Sequence, residues 1–429
     1  MLPDEQAGPP PNPTRQPGTR RWCAMFFIQA HAIALWYVPF SGVLKSHGYE
    51  AIVPEAFALT GVAAFISPML AGALADQHTS PTRILRILSL GIAATLALTF
   101  HGIASGWNPS LILGLFLFQQ LWAAPAWSIA NTIILNSLDN PEQHFGPIRV
   151  WATYGWMVAG LLIGFVLNLD GNIATGYAGS MAWLGVAVFT LFIPNIRPQS
   201  PKDRPRFKDL LGLETFRLLR IPRNRAVFIT AGLLTIPVAA FYPFVPLQLQ
   251  DIGLDRTSGI MALGQITEAA AMYLLAPMLG RFGLRNLLLV AIVASLLRYE
   301  FFAANHSAAL IVGVLLHGIC FTFFFIPAQI YIEQHVPKSM RFRAQAMMTL
   351  LVGGCGNLLG FLGCGWLRKK CVTTEGMTDW PMYWSLLNTA ILATLLYFIW
   401  EWRKGPPSLF EQKVESDKVS ARMRQSPEA

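Results

Sequence analysis

Two polar side chains, Gln265 and Glu268, lie three residues apart in the middle of the apolar stretch from Ser258 to Arg281. In a helix this spacing places both on one face, where an amide and a carboxyl can line a cavity together. Burial disfavours the charged form of a carboxyl, so a charge at this position is costly. We therefore expect Glu268 to exchange a proton at physiological pH. The alternative is a buried acid tied to Arg298 or to polar groups on neighbouring helices.

The elements that carry these residues are apolar blocks of about 20 residues, the length at which a helix crosses a bilayer. Hydrophobic residues make up 54% of the 429 residues and charged residues only 13%, with a mean hydropathy of +0.45. This composition excludes an ordinary soluble domain, in which about a quarter of the residues are charged. We predict an all-α polytopic membrane protein with twelve transmembrane helices, near residues 22–44, 51–75, 84–105, 109–136, 149–169, 173–194, 225–250, 258–281, 286–303, 307–333, 343–367 and 381–402.

Short sequence matches repeat between the two halves of the chain. Ser67–Leu70 recurs as Ala276–Leu279, and Pro125–Ala126 recurs as Pro327–Ala328, each six predicted helices later. A third pair is Trp36–Phe40 with Phe241–Phe244. These pairs indicate a parallel duplication about an axis normal to the membrane. The predicted organisation is a disordered cytoplasmic tail (1–21), a first six-helix half (22–195), a cytoplasmic linker (196–224), a second six-helix half (225–402) and a cytoplasmic tail (403–429).

The formal net charge is +9, and the basic residues are concentrated in the loops on one side of the predicted membrane. With a cytoplasmic N-terminus, 26 of the 32 Lys and Arg residues fall in inner tails and loops, as the positive-inside rule requires. We therefore predict that both termini are cytoplasmic, in an inner membrane, and that nucleic acid is not a partner. The exception is a basic cluster, Arg368 to Lys370, in a predicted outer loop.

The stretch Gly72-Ala73-Leu74-Ala75-Asp76, followed by Arg83, resembles the signature between helices 2 and 3 of the major facilitator superfamily. The resemblance implies that superfamily's fold of two six-helix halves that rock about a midplane cavity. It also implies a conformational role for Gly72, Asp76 and Arg83. In that role, the Asp76 carboxylate holds and releases neighbouring groups at a helix end; the alternative is a solvated loop acid.

Residues 145–156, Phe-Gly-Pro-Ile-Arg-Val-Trp-Ala-Thr-Tyr-Gly-Trp, resemble the Arg-x-Trp-Gly-Thr-x-Gly stretch of the nucleoside:proton symporter family. Further matching stretches are Asn131-Thr132-Ile133 after Pro125, Gln265-Ile266-x-Glu268, Arg281-x-Gly283-x-Arg285-Asn286, Leu297-Arg298 and Met377-Thr378-Asp379-Trp380. This resemblance covers nearly the whole chain. It implies proton-coupled nucleoside uptake by alternating access, with substrate-binding residues at Arg149, Thr153, Gln265, Glu268, Phe321 and Thr322, and proton coupling at Glu268.

The chain departs from the family pattern at two places. Thr322 stands where the pattern has an Asp, and Ala239 and Tyr242 stand where it has a pair of amides. A sugar or another small solute therefore stays open as the substrate. A membrane sensor or scaffold that binds solute without moving it is the alternative from another class.

No nucleophile elbow, phosphate loop or His-rich metal spacing occurs in the sequence, so we do not expect an enzyme. The five cysteines show no zinc or disulfide spacing. We expect no metal and no cofactor, with the proton as the coupling ion. The expected partners are a small-molecule substrate and the lipid bilayer, and we expect a monomer.

Overall fold

The structure is a computed structural model that describes residues 19–75, 80–139, 141–194, 213–337 and 340–405. Apart from an isolated bridge between Val372 and Thr378, the regular secondary structure of these residues is helical. Ten helical segments among them are long and apolar enough to cross a membrane. The predicted all-α polytopic fold class is thereby confirmed.

The predicted number of twelve helices is reached only by two assignments beyond those ten segments. Thr257–Ala303 has 47 residues, and Gly283 near its middle has a non-helical φ of 73° and ψ of 164°. Because a crossing needs about 20 residues, we divide this stretch into two helices at Gly283. The second assignment is Val53–Ala75, a helix of 23 residues that is not among the ten.

We number the resulting helices in chain order. They are α1 Thr19–Ser46, α2 Val53–Ala75, α3 Pro81–Ala104, α4 Pro109–Leu135, α5 His144–Leu167, α6 Ala174–Phe192, α7 Pro222–Asp251, α8 257–282, α9 284–303, α10 Ser307–His335, α11 Arg343–Lys370 and α12 Trp380–Arg403. The first half comprises α1–α6 and the second α7–α12. Most of the predicted linker lies outside the described residues.

Helices α1 and α7 are broken at corresponding places of the repeat. The first consists of Thr19–Tyr37 and Phe40–Ser46, and the second of Pro222–Val238 and Phe241–Asp251. In α1 the break falls at Pro39, which has no backbone N–H to donate to the preceding turn. Next to these breaks the rings of Tyr37 and Tyr242 meet across the two halves, with centroids 5.5 Å apart.

Aromatic side chains fill the interior of each half. In the first half the rings of Phe40 and Phe116 stack with centroids 4.8 Å apart. In the second half Phe302 and Trp384 lie 5.0 Å apart and both are buried. Burial of large rings makes each half a packed body, because aromatic side chains contribute the largest apolar areas.

The two halves meet closely at the end of the bundle where α1, α5, α7 and α11 end, which we call the distal end. A Cβ atom on Gly164 of α5 would lie 2.1 Å from the backbone nitrogen of Gly259 in α8. In the loop after α5, the Asp170 carboxylate accepts hydrogen bonds from the Thr257 hydroxyl and the Ser258 backbone N–H, both at 3.0 Å. The distal end is therefore closed between α5 and α8.

Candidate functional site

The carboxyl of Glu268 lies at a contact between the two halves. Its side chain in α8 is 7% exposed, and its Oε1 atom accepts a hydrogen bond of 3.2 Å from the Thr153 hydroxyl of α5. Thr153 is also 7% exposed, so this bond is shielded from water. The structure thus brings together two predicted site residues that are 115 positions apart in the sequence.

A glycine in α10 fixes the backbone at Glu268. A Cβ atom on Gly318 would lie 2.0 Å from the Glu268 backbone nitrogen, so any larger residue would push α8 and α10 apart. Gly318 therefore allows α10 to pack directly against the turn of α8 that carries the carboxyl.

The guanidinium of Arg149 lies one turn before Thr153 on α5. Its central carbon is 4.5 Å from the ring centroid of Trp127 and 5.4 Å from that of Phe26, distances at which a cation is attracted to an aromatic face. The guanidinium is also within electrostatic range of the Glu268 carboxyl, although no ion pair joins these two described residues. Arg149 and Glu268 thus lie near each other without an ion pair, and the Glu268 carboxyl is bonded to Thr153 instead.

Arg298 is not the partner of Glu268. Its guanidinium in α9 is fully buried over the ring of Phe241, with the central carbon 3.9 Å from the centroid. Glu268 instead accepts a hydrogen bond from Thr153. A bond to a polar group on a neighbouring helix was one of the two possibilities in the alternative given above. The carboxyl therefore faces the other half of the molecule.

Gln265 joins the site to an aromatic cluster that the sequence prediction missed. Its side chain is 4% exposed and interacts with the Tyr242 hydroxyl of α7. The Tyr242 ring lies 5.5 Å from that of Tyr37 and 5.8 Å from that of Trp156, and the last two rings are 5.9 Å apart. Because Trp156 follows Thr153 by about one turn toward the distal end, this cluster separates the site from that end. The repeat that pairs the segments around Tyr37 and Tyr242 was the available signal.

The two predicted residues of α10 occupy different environments. Phe321 is 40% exposed, and its ring stacks on His317 at 5.9 Å and tilts against Phe325 at 5.2 Å. Thr322 is fully buried, and its hydroxyl has no hydrogen-bond partner. An exposed ring can bind a ligand directly, whereas Thr322 is enclosed in this conformation. Their predicted roles stay predictions.

The predicted conformational motif falls mostly on residues without a described placement. Asp76 lies outside the described residues, and the surroundings of Gly72 are not described either. Arg83 is described. Its backbone N–H donates a hydrogen bond to the hydroxyl of Ser80, the N-cap residue of α3. The motif's role also stays a prediction.

The arrangement offers one titratable carboxyl, one cation, a hydroxyl and an amide beside several aromatic rings. Such a set can bind a polar solute with hydroxyl groups and a flat ring, because pockets of this kind orient ligands with a few polar groups. In the described part of the chain no group of three or more His, Cys, Asp or Glu could hold a metal ion. A buried carboxyl with a polar partner between two six-helix halves is an arrangement expected of a membrane transporter.

Comparison with known proteins identifies the family. The sequence profile of the nucleoside H+ symporter family matches residues 19–405, and the chain belongs to this family. Relatives include YegT of Escherichia coli K12, 30% identical over 94% of this chain and 98% of that protein. The xanthosine permease of the same organism is 25% identical over 91% of this chain and 97% of its own length.

Solved structures agree on the fold. The crystal structure of the nucleoside transporter NupG superimposes with a TM-score of 0.79 at 22% identity, covering 90% of this chain and 99% of that one. The crystal structure of the POT family transporter PepTSo gives a TM-score of 0.67 at 12% identity, over 90% of this chain and 98% of that one. The predicted major facilitator fold is confirmed, and the protein is a transporter rather than an enzyme.

Proposed function

We propose that this protein couples the uptake of a nucleoside to the entry of a proton, by alternating access in an inner membrane with both termini cytoplasmic. The observation that carries the proposal is the buried Thr153–Glu268 hydrogen bond, which joins the two halves at the level of the site. Family membership supports proton symport and nucleosides as the substrate class. The distribution of basic residues supports the orientation. Because all site residues come from one chain, we propose that a monomer is the working unit.

In this proposal Glu268 carries the proton. Protonation removes a charge from a buried position, which makes rearrangement of the two halves around it less costly. After the proton leaves, the Arg149 charge and the Thr153 hydroxyl stabilise the carboxylate. The proton therefore changes the electrostatics of the same contact that must separate during transport.

The remaining polar and aromatic groups bind the substrate. The Gln265 amide and the Arg149 guanidinium can bind ribose hydroxyls, and the exposed ring of Phe321 can stack on the base. We place Thr322 next to this surface as a residue that becomes accessible in another conformation.

The test is Glu268→Gln, which keeps the shape of the side chain and removes the proton exchange. We expect the variant to lose nucleoside accumulation driven by a proton gradient in proteoliposomes and to keep counterflow, which needs no gradient. Glu300→Gln is the matched control, because Glu300 lies in α9 away from the site and accepts a hydrogen bond from Asn388. Unimpaired gradient-driven uptake by Glu268→Gln would show that another group carries the proton.

Competition experiments decide the substrate class. Excess uridine, adenosine or xanthosine should suppress uptake of a labelled nucleoside, whereas maltose or glucose should not. Competition by sugars and not by nucleosides would show that the substrate is a sugar. Binding without counterflow would support the sensor or scaffold.

A further inference from the structure

Three ion pairs join the two halves at the distal end. Lys45 at the end of α1 pairs with Asp251 at the end of α7. Arg368 and Lys369, at the end of α11, pair with acidic side chains at the start of α2 and just before it. The acidic partners are Glu50 for Arg368 and, at 3.4 Å, Glu55 for Lys369. Each pair has one member in each half.

Arg368 is held in position by its own half before it contacts the other. Its Nε atom donates to the Thr378 hydroxyl at 3.1 Å, and its guanidinium carbon lies 5.5 Å from the Trp380 ring centroid. Trp380 in turn donates from its indole N–H to Asp251 at 2.9 Å. The same short segment thus orients both an Arg and an Asp that pair with the first half.

The loop that supplies Thr378 and Trp380 is itself ordered. The Thr373 N–H donates to the Met377 carbonyl at 2.8 Å, and the Asp379 N–H donates to the Cys371 carbonyl at 2.7 Å. The motif Met377-Thr378-Asp379-Trp380, which has no part in the site around Glu268, therefore builds the second half's surface at the distal end.

We propose that these six residues form a distal clasp that holds the two halves together at this end and separates whenever the transporter opens there. The clasp residues are Lys45, Glu50, Glu55, Asp251, Arg368 and Lys369. This proposal accounts for the basic cluster that contradicts the positive-inside rule, because Arg368 and Lys369 have acidic partners in the other half. It rests on transport by this fold and depends neither on the substrate nor on the orientation.

The exposure of the pairs suits a clasp that must open. Their side chains are between 18% and 60% exposed, so water replaces each lost contact at little cost. Loss of one pair should shift the ratio of open to closed molecules about fivefold, which corresponds to about 1 kcal/mol. The clasp therefore biases the equilibrium without locking it.

The experiment measures opening with a buried cysteine. Ala58 of α2 is 3% exposed and shares a helix face with Pro54 and Gly61, which contact Gly365 and Leu358 of α11. Ala58→Cys, in a background with the five native cysteines replaced by serine and uptake retained, reports opening by its rate of maleimide labelling. Purified protein in nanodiscs is used, so the reagent reaches both faces.

Glu50→Gln and Arg368→Gln should each raise the labelling rate about fivefold, and the exchange Glu50→Arg with Arg368→Glu should return it to the parent rate. Lys370→Gln is the control, since Lys370 has no acidic partner among the described residues and lies over Trp366. If these variants fold poorly, the pair Lys45–Asp251 allows the same comparison, with Lys45→Gln, Asp251→Asn and the exchange Lys45→Asp with Asp251→Lys. Parent-rate labelling of the single variants, or faster labelling of the exchanged pair than of either single variant, would overturn the proposal. Loss of nucleoside transport alone would not affect this readout.

Discussion

Replacing Thr153 with Val tests the contact between the halves at the site. Valine keeps the branched shape of threonine but cannot donate a hydrogen bond to Glu268, whose side chain is 7% exposed. Loss of a hydrogen bond to a charged buried group costs about 1.5–3 kcal/mol. That range corresponds to about a 10- to 140-fold change in an equilibrium or a rate.

We expect Thr153→Val to lower the rate of proton-driven uptake at low substrate concentration by about 10- to 140-fold. Thr153→Ser should retain most of the activity, because serine restores the hydroxyl. The assay is initial uptake of a labelled nucleoside into proteoliposomes with an imposed pH gradient, normalised to the amount of folded protein. Equal activities of the Val and Ser variants would refute the role of this hydrogen bond, as would an unimpaired Val variant.

Two further predictions concern the packing around the site and the distal end. Gly318→Ala should force α10 away from Glu268, because the new Cβ would lie 2.0 Å from a backbone nitrogen; we expect about 1–3 kcal/mol of destabilisation, seen as a lower unfolding temperature. Burial raises the pKa of Asp170 above its ordinary value of 3.8, although hydrogen bonds from the start of α8 oppose the shift. The closed structure then binds this proton more tightly than the unfolded chain, so stability present below about pH 4 is lost as the pH rises through the raised pKa. Asp170→Asn should remove this part of the pH dependence of thermal unfolding, and an unchanged pH profile would contradict it.

The sequence was sufficient for the fold because the bilayer imposes a length and a polarity on every crossing helix. Apolar blocks and the repeat between the halves therefore predicted the fold that the structure confirms. The repeat also indicated that α7 is broken where α1 is. The positions of the prolines alone would place this break at the wrong residues. The break falls at residues 239–240, between two prolines, Pro237 and Pro243.

The site could be predicted only in part, because spacing within a helix says nothing about what faces it. Gln265 and Glu268 were placed on one face by their separation of three residues. The Thr153–Glu268 bond joins positions 115 residues apart, and the sequence indicated this proximity only through family resemblance. The position of Trp127 beneath Arg149 depends on how α4 packs against α5, which no local pattern encodes.

In the proposed mechanism, helix α8 is the element that links the proton to the conformation. Helix α8 begins at the distal end, where Thr257 and Ser258 bond Asp170 of the first half, and it carries Glu268 about three turns further on. A rigid helix that contacts the other half at both levels cannot separate at one without moving at the other. In the proposed mechanism, protonation of Glu268 weakens the electrostatic part of the inner contact, and the contacts at the distal end bias whether that end opens. In this proposal α8 joins the inner contact at Glu268 to the contact with Asp170 at the distal end.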